Sequence, residues 1–416
     1  MTNLTYHPFL PENKTESIRI VVGGQTFTEF QNSEGSASNV VARVITDLVI
    51  DYSILYNSIV GHLEVVVPVG DPLEKEVFEG NTQIAIIAVD SLGKVFSGAF
   101  TAYKSSTIDV IEGKRIKYFF VDSLSYTALN LKRPKNLKDK SLNDILNDEV
   151  FNSKNENGQD ENIFKIFSTK ETDFKVDTTI PFMEFKACAG GGDCCNYLNN
   201  LGQRFNALVF QTRNKYRAIS WDKVMDQEVL KEDGEEVTYV YPSNFVSNVF
   251  SIKWKDIGQL DSSKTAIAGN LTEDKFHFDA LTGKTIQPDK QTVESSISTL
   301  NRGGAADSKA ITEAKENIGI KMTSTYNADL ATKYKYYMSL FDSSKVTIIV
   351  PGTYVVNVGD LVQLKISLGG KEEETKDDGP SKTLSGKYLV SRITEKYVMG
   401  FFSQKIELTR PGIQHN

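Results

Sequence analysis

Four histidines, three cysteines and 54 carboxylates are the side chains of this 416-residue sequence best suited to proton transfer, nucleophilic attack or metal binding. His7 and His415 sit at the two ends of the chain, where segments are commonly mobile. His62 and His277 lie far apart, and neither has a second ligand at metal-binding spacing. The sequence contains no HExxH, GxSxG, GxxxxGK[ST] or DxDxDG pattern. An enzyme needs no short motif, yet their joint absence moves the balance away from catalysis.

The segment ACAGGGDCCNYLNNLGQRFN concentrates the remaining candidates. Three glycines before a helix start are able to cradle an anion with backbone amides. A phosphate loop, however, needs a lysine and a hydroxyl after its last glycine, and here Asp193, Cys194 and Cys195 follow. Asp193 would repel phosphate, so a hinge followed by an acidic helix N-cap is the better reading. Cys188, Cys194 and Cys195 lack the second pair of ligands that a zinc site requires. Adjacent Cys194 and Cys195 would diverge by about 100° on a helix. Cys194 therefore reads as a small core residue. A cell-wall hydrolase would use two carboxylates in a cleft, but no spacing marks such a pair. Tyr334, Tyr336 and Tyr337 offer a stacking platform for bases or sugars. At helical spacing Tyr334, Tyr337 and Phe341 are more simply a packed stripe. No catalytic, cofactor-binding or metal-ligating residue is singled out, and no cofactor is implied.

The elements that would position such residues are mostly strands. Asn39–Tyr56, His62–Val69, Asn81–Val89, Lys94–Tyr103 and Lys114–Val121 alternate apolar and polar residues between turn signals. They predict a small sandwich or barrel over residues 15–134. Residues 135–180 should hold a helix and a polar insertion. Ser141 is its N-cap, Leu142, Ile145, Leu146 and Val150 its apolar stripe, and residues 152–162 an exposed loop. A small α/β module is expected over 181–243, with a helix from Asp193 packed on a hairpin of Ala207–Phe210 and Arg217–Trp221. Asp226–Glu236 reads as surface loop. Asn244–Trp254, Val346–Val350, Gly352–Ile366, Lys387–Glu395 and Gln404–Leu408 read as strands of a second β domain over 244–413, interrupted at about 258–320. A helix over Tyr326–Phe341 and the acidic linker KEEETKDDGPSK complete it.

The formal charge of −7 disfavours a protein whose main task is gripping phosphate backbones. Apolar runs such as Ile84–Val89 are too short to span a bilayer, so no membrane anchor is expected. The opening MTNLTYHPFL has neither a basic start nor an apolar core, which predicts no secretory signal. Three cysteines do not make a disulfide scaffold and suit synthesis in a reducing cytosol.

The C-terminal stretches VTIIVPGTYVVNVGDLVQLKI and LSGKYLVSRITEKYVMGFFSQKIELTRPGI carry a resemblance. Strand, Pro-Gly, strand, Gly-Asp-Leu-Val, a variable loop, Gly-x-Tyr-x-Val-x-x-Ile and a closing strand resemble the baseplate hub proteins of contractile-tailed bacteriophages and related contractile injection systems. FEGNTQIAIIAVDSLG, KRIKYFFVDSLSYTALN, SLNDILNDEVF and IPFMEFKACAG are similar to that family's layout in the same order. Segments 152–162 and 258–320 have no counterpart in it.

The resemblance implies a mainly β chain with α+β parts: two tube-type β-barrel or sandwich domains plus a small α/β module and insertions. It implies a homotrimer whose six similar domains ring a central axis, joining the tail tube protein to the central spike protein beside other baseplate proteins. DNA would pass through the lumen only in transit. The protein would belong to the virion tail baseplate, assembled in the host bacterial cytoplasm, and would not be an enzyme. A tail-associated enzyme degrading cell walls or polysaccharide is the alternative from another class, and a sugar-binding module a third. The acidic balance reads first as a solubility device and second as a lining that keeps passing DNA from adhering.

Overall fold

The computed structural model of the protein describes residues 17–28, 44–55, 58–71, 73, 82–110, 113–122, 135–147, 171–176, 179–185, 202–241, 252, 254–260, 277–279, 284–286, 334, 337–338, 341, 344–366, 384–398 and 401–410. The fold is mainly β, built around a curled half-barrel sheet with smaller α/β parts.

The front of the chain supplies β1 (Ser17–Val22), β2 (Gln25–Thr28), β3 (Val44–Ser53), β4 (Val60–Pro68), β5 (Thr82–Val89), β6 (Val95–Val110) and β7 (Gly113–Asp122). Period-two alternation explains their faces: Ile84, Ile86 and Ala88 of β5 are buried while Gln83, Ala85 and Ile87 are exposed. Gly23 and Gly24, both with positive φ (53° and 82°), make the two-residue turn that joins β1 to β2.

The middle contains β8 (Lys135–Ser141), β9 (Glu171–Lys175), β10 (Thr179–Phe185), β11 (Ala207–Gln211) and β12 (Lys215–Ser220). Residues 135–141, ahead of the helix expected from Ser141, form a strand that pairs antiparallel with β10. Ser141 does cap the helical turn Leu142–Asp144: its Oγ accepts from the Asp144 backbone N–H, and its own N–H donates to Asp144 Oδ2. Leu142, Ile145 and Leu146 are buried, as the stripe predicts. β11 and β12 form the expected hairpin, with β9 added parallel to β12. Trp221 departs from expectation, opening a 3-10 turn over Trp221–Asp226. Val150, the loop 152–162, the three cysteines and residues 193–201 of the helix expected from Asp193 lie outside the described residues; residues 202–204 are helical, and Phe205, the last of that helix's stripe, is buried.

The rear supplies β13 (Lys231–Glu232), β14 (Glu235–Glu236), β15 (Thr238–Tyr241), β16 (Trp254–Leu260), β17 (His277–Asp279), β18 (Lys284–Ile286), β19 (Ser344–Pro351), β20 (Leu361–Ile366), β21 (Gly386–Val398) and β22 (Phe401–Thr409). Two expectations need correction here. Asp226–Glu236 is not all loop: Asp233 and Gly234, with φ of 52° and 86°, turn β13 into β14. Of the strand expected over Asn244–Trp254, residues 244–251 and 253 lie outside the described residues; from Trp254 the chain is strand to Leu260. Gly352–Ile366 is not one strand, since the chain turns before β20. There Asp360 Oδ2 accepts the Asn357 N–H at 2.8 Å, and Gly359 takes φ of 82°. The acidic linker and most of 258–320 lie outside the described residues.

Eleven strands follow one path, β16-β19-β22-β21-β3-β4-β7-β6-β5-β1-β2, and β20 with β15 branches from β21 to complete a 13-stranded sheet. One buried apolar cluster runs from Ile20 and Leu63 in the front to Tyr239, Leu364 and Ile406 in the rear. Each such side chain removed from water contributes about 1.5–3 kcal/mol.

The path contains a repeat that the residue identities hide. β3-β4-β7-β6-β5 and β16-β19-β22-β21-β20 have the same order, and every corresponding pair is antiparallel. The long hairpins match residue for residue. Val110 pairs with Gly113 and Val398 with Phe401, and counting back from either place reaches a one-residue bulge at the same position. In the front Ala102↔Phe120 steps to Lys104↔Phe119, leaving Tyr103 extra. In the rear Val390↔Leu408 steps to Arg392↔Glu407, leaving Ser391 extra.

Candidate assembly interface

The two five-strand arrays meet where β3 runs antiparallel to the second half of β21, from Arg392↔Ser53 to Tyr397↔Leu48. Alternation sends successive side chains of this ladder to opposite faces, and the two faces are built differently. On one, Asp51 takes a fork from Arg392: Nε donates to Oδ1 at 2.9 Å and Nη2 to Oδ2 at 2.6 Å. Thr394 Oγ1 adds a third donor to Asp51 Oδ1 at 2.9 Å.

The other face holds a buried ion pair. Glu395 is fully buried, and Arg213, from the turn between β11 and β12, is 3% exposed. Arg213 Nε donates to Glu395 Oε1 at 2.7 Å and its Nη2 reaches the same oxygen. Gln404 Nε2 donates to Oε1 at 3.2 Å, while the Tyr52 hydroxyl of β3 donates to Oε2 at 3.3 Å. The guanidinium stacks between Tyr52 and Tyr354, 5.3 Å from each ring centre. Its Nη1 donates to the Val356 carbonyl and to Asn357 Oδ1. One side chain of the middle segment thus touches both arrays.

Burial sets the electrostatics. It raises the Glu395 carboxyl above the usual carboxylate range, and Arg213 pulls the other way. Burial alone would lower the Arg213 guanidinium, but Glu395, Tyr52 and Tyr354 together outweigh it and the group stays charged. Burial also pushes the hydroxyls of Tyr52, Tyr354 and Tyr397 well above their ordinary value.

A second clasp joins the arrays. Asp90, fully buried after β5, accepts the Leu92 and Lys94 N–H groups on Oδ1 at 2.9 and 2.8 Å. Its Oδ2 accepts the Tyr354 N–H at 2.7 Å and the Thr353 hydroxyl at 3.0 Å, both from the turn after β19. One carboxylate therefore shapes a front turn and anchors a rear one.

Among the described residues, the side chains weighed for proton transfer or metal binding form no common site. His62 does have a partner, with Nε2 3.1 Å from Asp47 Oδ2 across the β3–β4 ladder, and His277 lies in β17. Among the described residues no cluster of three His, Cys, Asp or Glu side chains is arranged to hold a metal ion. Tyr334, Tyr337 and Phe341 surround Trp221, with Tyr337 stacked at 8° between ring planes, so they pack as the stripe predicts. Sequence reasoning missed Arg213, Glu395 and Asp90. The one available signal was Glu395, which shares the alternating face of β21 with Ile393 and Tyr397, whereas Arg213 stands among polar residues, Thr212 and Asn214.

No protein-family model matches the chain, and no curated protein resembles its sequence significantly. Solved structures do share its architecture. A tail protein from Neisseria meningitidis MC58 superposes with a TM-score of 0.50 at 9% identity, over 95% of this chain and 97% of that one. The 43 kDa tail protein of prophage MuSo2 from Shewanella oneidensis gives 0.48 at 11% identity, over 96% and 100% of the two chains. A type VI secretion system component from E. coli, described as similar to bacteriophage T4 tail proteins, gives 0.47 at 7% identity, over 91% and 75%. The first of these likenesses carries the comparison: the chain has a tail-related fold.

Proposed function

We propose that the protein is a structural hub of a phage-type tail or contractile injection system, in which three copies form a ring of six alike β arrays between the tail tube and the central spike. The observation that carries this reading is the repeated strand order with its matched bulges. A spike of threefold symmetry and a tube of sixfold symmetry present different numbers of equivalent surfaces. A subunit holding two alike arrays offers both, because three copies present three identical chains and six alike arrays.

The junction supplies the second support. The arrays are joined edge to edge by a backbone ladder, so a ring built by repeating that joint would leave no long sheet edge unpaired. Four strands from each array lie on the ring path, and three copies would close on twenty-four. At about 4.8 Å between strands this gives a backbone circumference of roughly 115 Å and a diameter near 37 Å. Such a ring works through its interfaces, and catalysis has no part in it.

Sedimentation velocity on the purified chain, alone and with the spike protein of the same particle, tests the proposal. A trimer, formed by the chain alone or on adding spike, is expected. A strictly monomeric chain in the presence of spike overturns it. Turnover of purified cell walls by the chain alone would favour the degradative alternative.

A further inference from the structure

The repeat also points to the surface by which one copy meets the next. The second half of β21 is flanked on one side by β22 and on the other by β3. The matching half of β6, Lys104–Val110, has β7 on one side, and β5 reaches only as far as Ala102 on the other. Among the described residues nothing pairs with that edge, and Tyr103 and Ile108 are 50% and 62% exposed. At the opposite end of the path β16, the counterpart of β3, has β19 on one side and no described strand on the other. Among the described residues each chain therefore carries one unused edge of each kind, and each is the partner that the other's counterpart has within the chain.

We infer that residues 104–110 of one copy pair antiparallel with β16 of the next copy, repeating between chains the joint made within the chain by β21 and β3. This rests on the ring reading and specifies its contact. The register follows from the matched ladders. Gly61↔Phe120 and Val346↔Leu408 align β4 with β19. Leu48↔Leu63, Val49↔His62 and Ile50↔Gly61 then correspond to Lys255↔Ile348, Asp256↔Thr347 and Ile257↔Val346. The inner pairs Tyr397↔Leu48, Lys396↔Val49 and Glu395↔Ile50 carry over as Asp109 against Lys255, Ile108 against Asp256 and Thr107 against Ile257. An acid thus falls directly opposite a base at the place where the inner joint sets Tyr397 opposite Leu48, a pairing that strengthens an antiparallel ladder. A second copy of this chain is the occupant because β16 and its mate differ in sequence, so two like edges do not satisfy the register.

Cysteine crosslinking of the full chain tests the contact. In a chain with Cys188, Cys194 and Cys195 replaced by serine, Thr107→Cys together with Ile257→Cys should oxidise to an intermolecular disulfide, mapped to those two peptides. Either cysteine alone should give none. Asp109→Cys with Lys255→Cys reads the same register should the first pair fail to fold. Sizing of the same samples separates the two readings. Trimers without the disulfide in either pair overturn this contact and leave the ring. Crosslinked chains that do not close at three support the contact and overturn the ring. Monomers without crosslinks, with the spike protein present, overturn both. In the otherwise unmodified chain, Asp109→Lys should weaken association about threefold or more, and adding Lys255→Asp should restore it. A double variant no better than the single overturns the register.

Discussion

Glu395 lies wholly inside the protein with four donor groups aimed at its two oxygens, three of them on Oε1. Removing its charge while Arg213 stays leaves a buried cation without a counterion, which costs about 3–5 kcal/mol. Glu395→Leu should therefore lower the midpoint of chemical denaturation sharply. Glu395→Leu with Arg213→Met should recover most of the loss, since apolar replacement of a whole buried pair is close to neutral. Denaturation curves of the three variants check this, and a double variant as weak as the single contradicts it. The buried tyrosines add a pH prediction. Burial holds Tyr334 up at about 12 and raises Tyr52, Tyr354 and Tyr397 well above their ordinary value. Groups raised in the folded state favour it while protonated. Their contribution is complete below the ordinary tyrosine value of 10.0 and is lost as pH rises through the folded values. Tyrosinate absorbance should thus show these hydroxyls ionising together with unfolding rather than with the exposed ones. This scale was least legible in the sequence. Arg213 and Glu395 are 182 positions apart, and neither pattern nor spacing links them.

Most strands were legible because alternation records which face is buried, as in β4, where Leu63, Val65 and Val67 point inward. The turn after β19 was not. Thr353, Tyr354 and Val356 are as buried as strand residues, because Asp90 and Arg213 satisfy the backbone there in place of a ladder. The strand over residues 135–141 was missed for a related reason: its partner β10 arrives from far along the chain. The repeat was expected through the resemblance and not from the residues themselves, because matching positions hold different residues, Tyr103 against Ser391 and Lys104 against Arg392. Close packing of the array makes one substitution informative. A Cβ at Gly61 would meet the Val49 carbonyl oxygen and lie 2.6 Å from Phe120 Cζ. Gly61→Val should destabilise by about 1–3 kcal/mol through overpacking at the β3–β4–β7 crossing. Thermal melts measure it, and an unchanged melting temperature would count against the packing described.

At the scale of the molecule, one continuous sheet lets a single chain present two alike arrays already joined by the contact that copies would repeat. The strand-rich character of both ends and the acidic balance were legible from composition and periodicity. The joint between β3 and β21 was not, because it depends on which edges remain after every local hairpin has formed. Electron cryomicroscopy of the chain assembled with its spike tests the account most directly. End-on averages should show a closed threefold ring with six similar lobes, each pair of neighbouring lobes joined by unbroken sheet. Three lobes without internal repetition, or an assembly of any other symmetry, would contradict it.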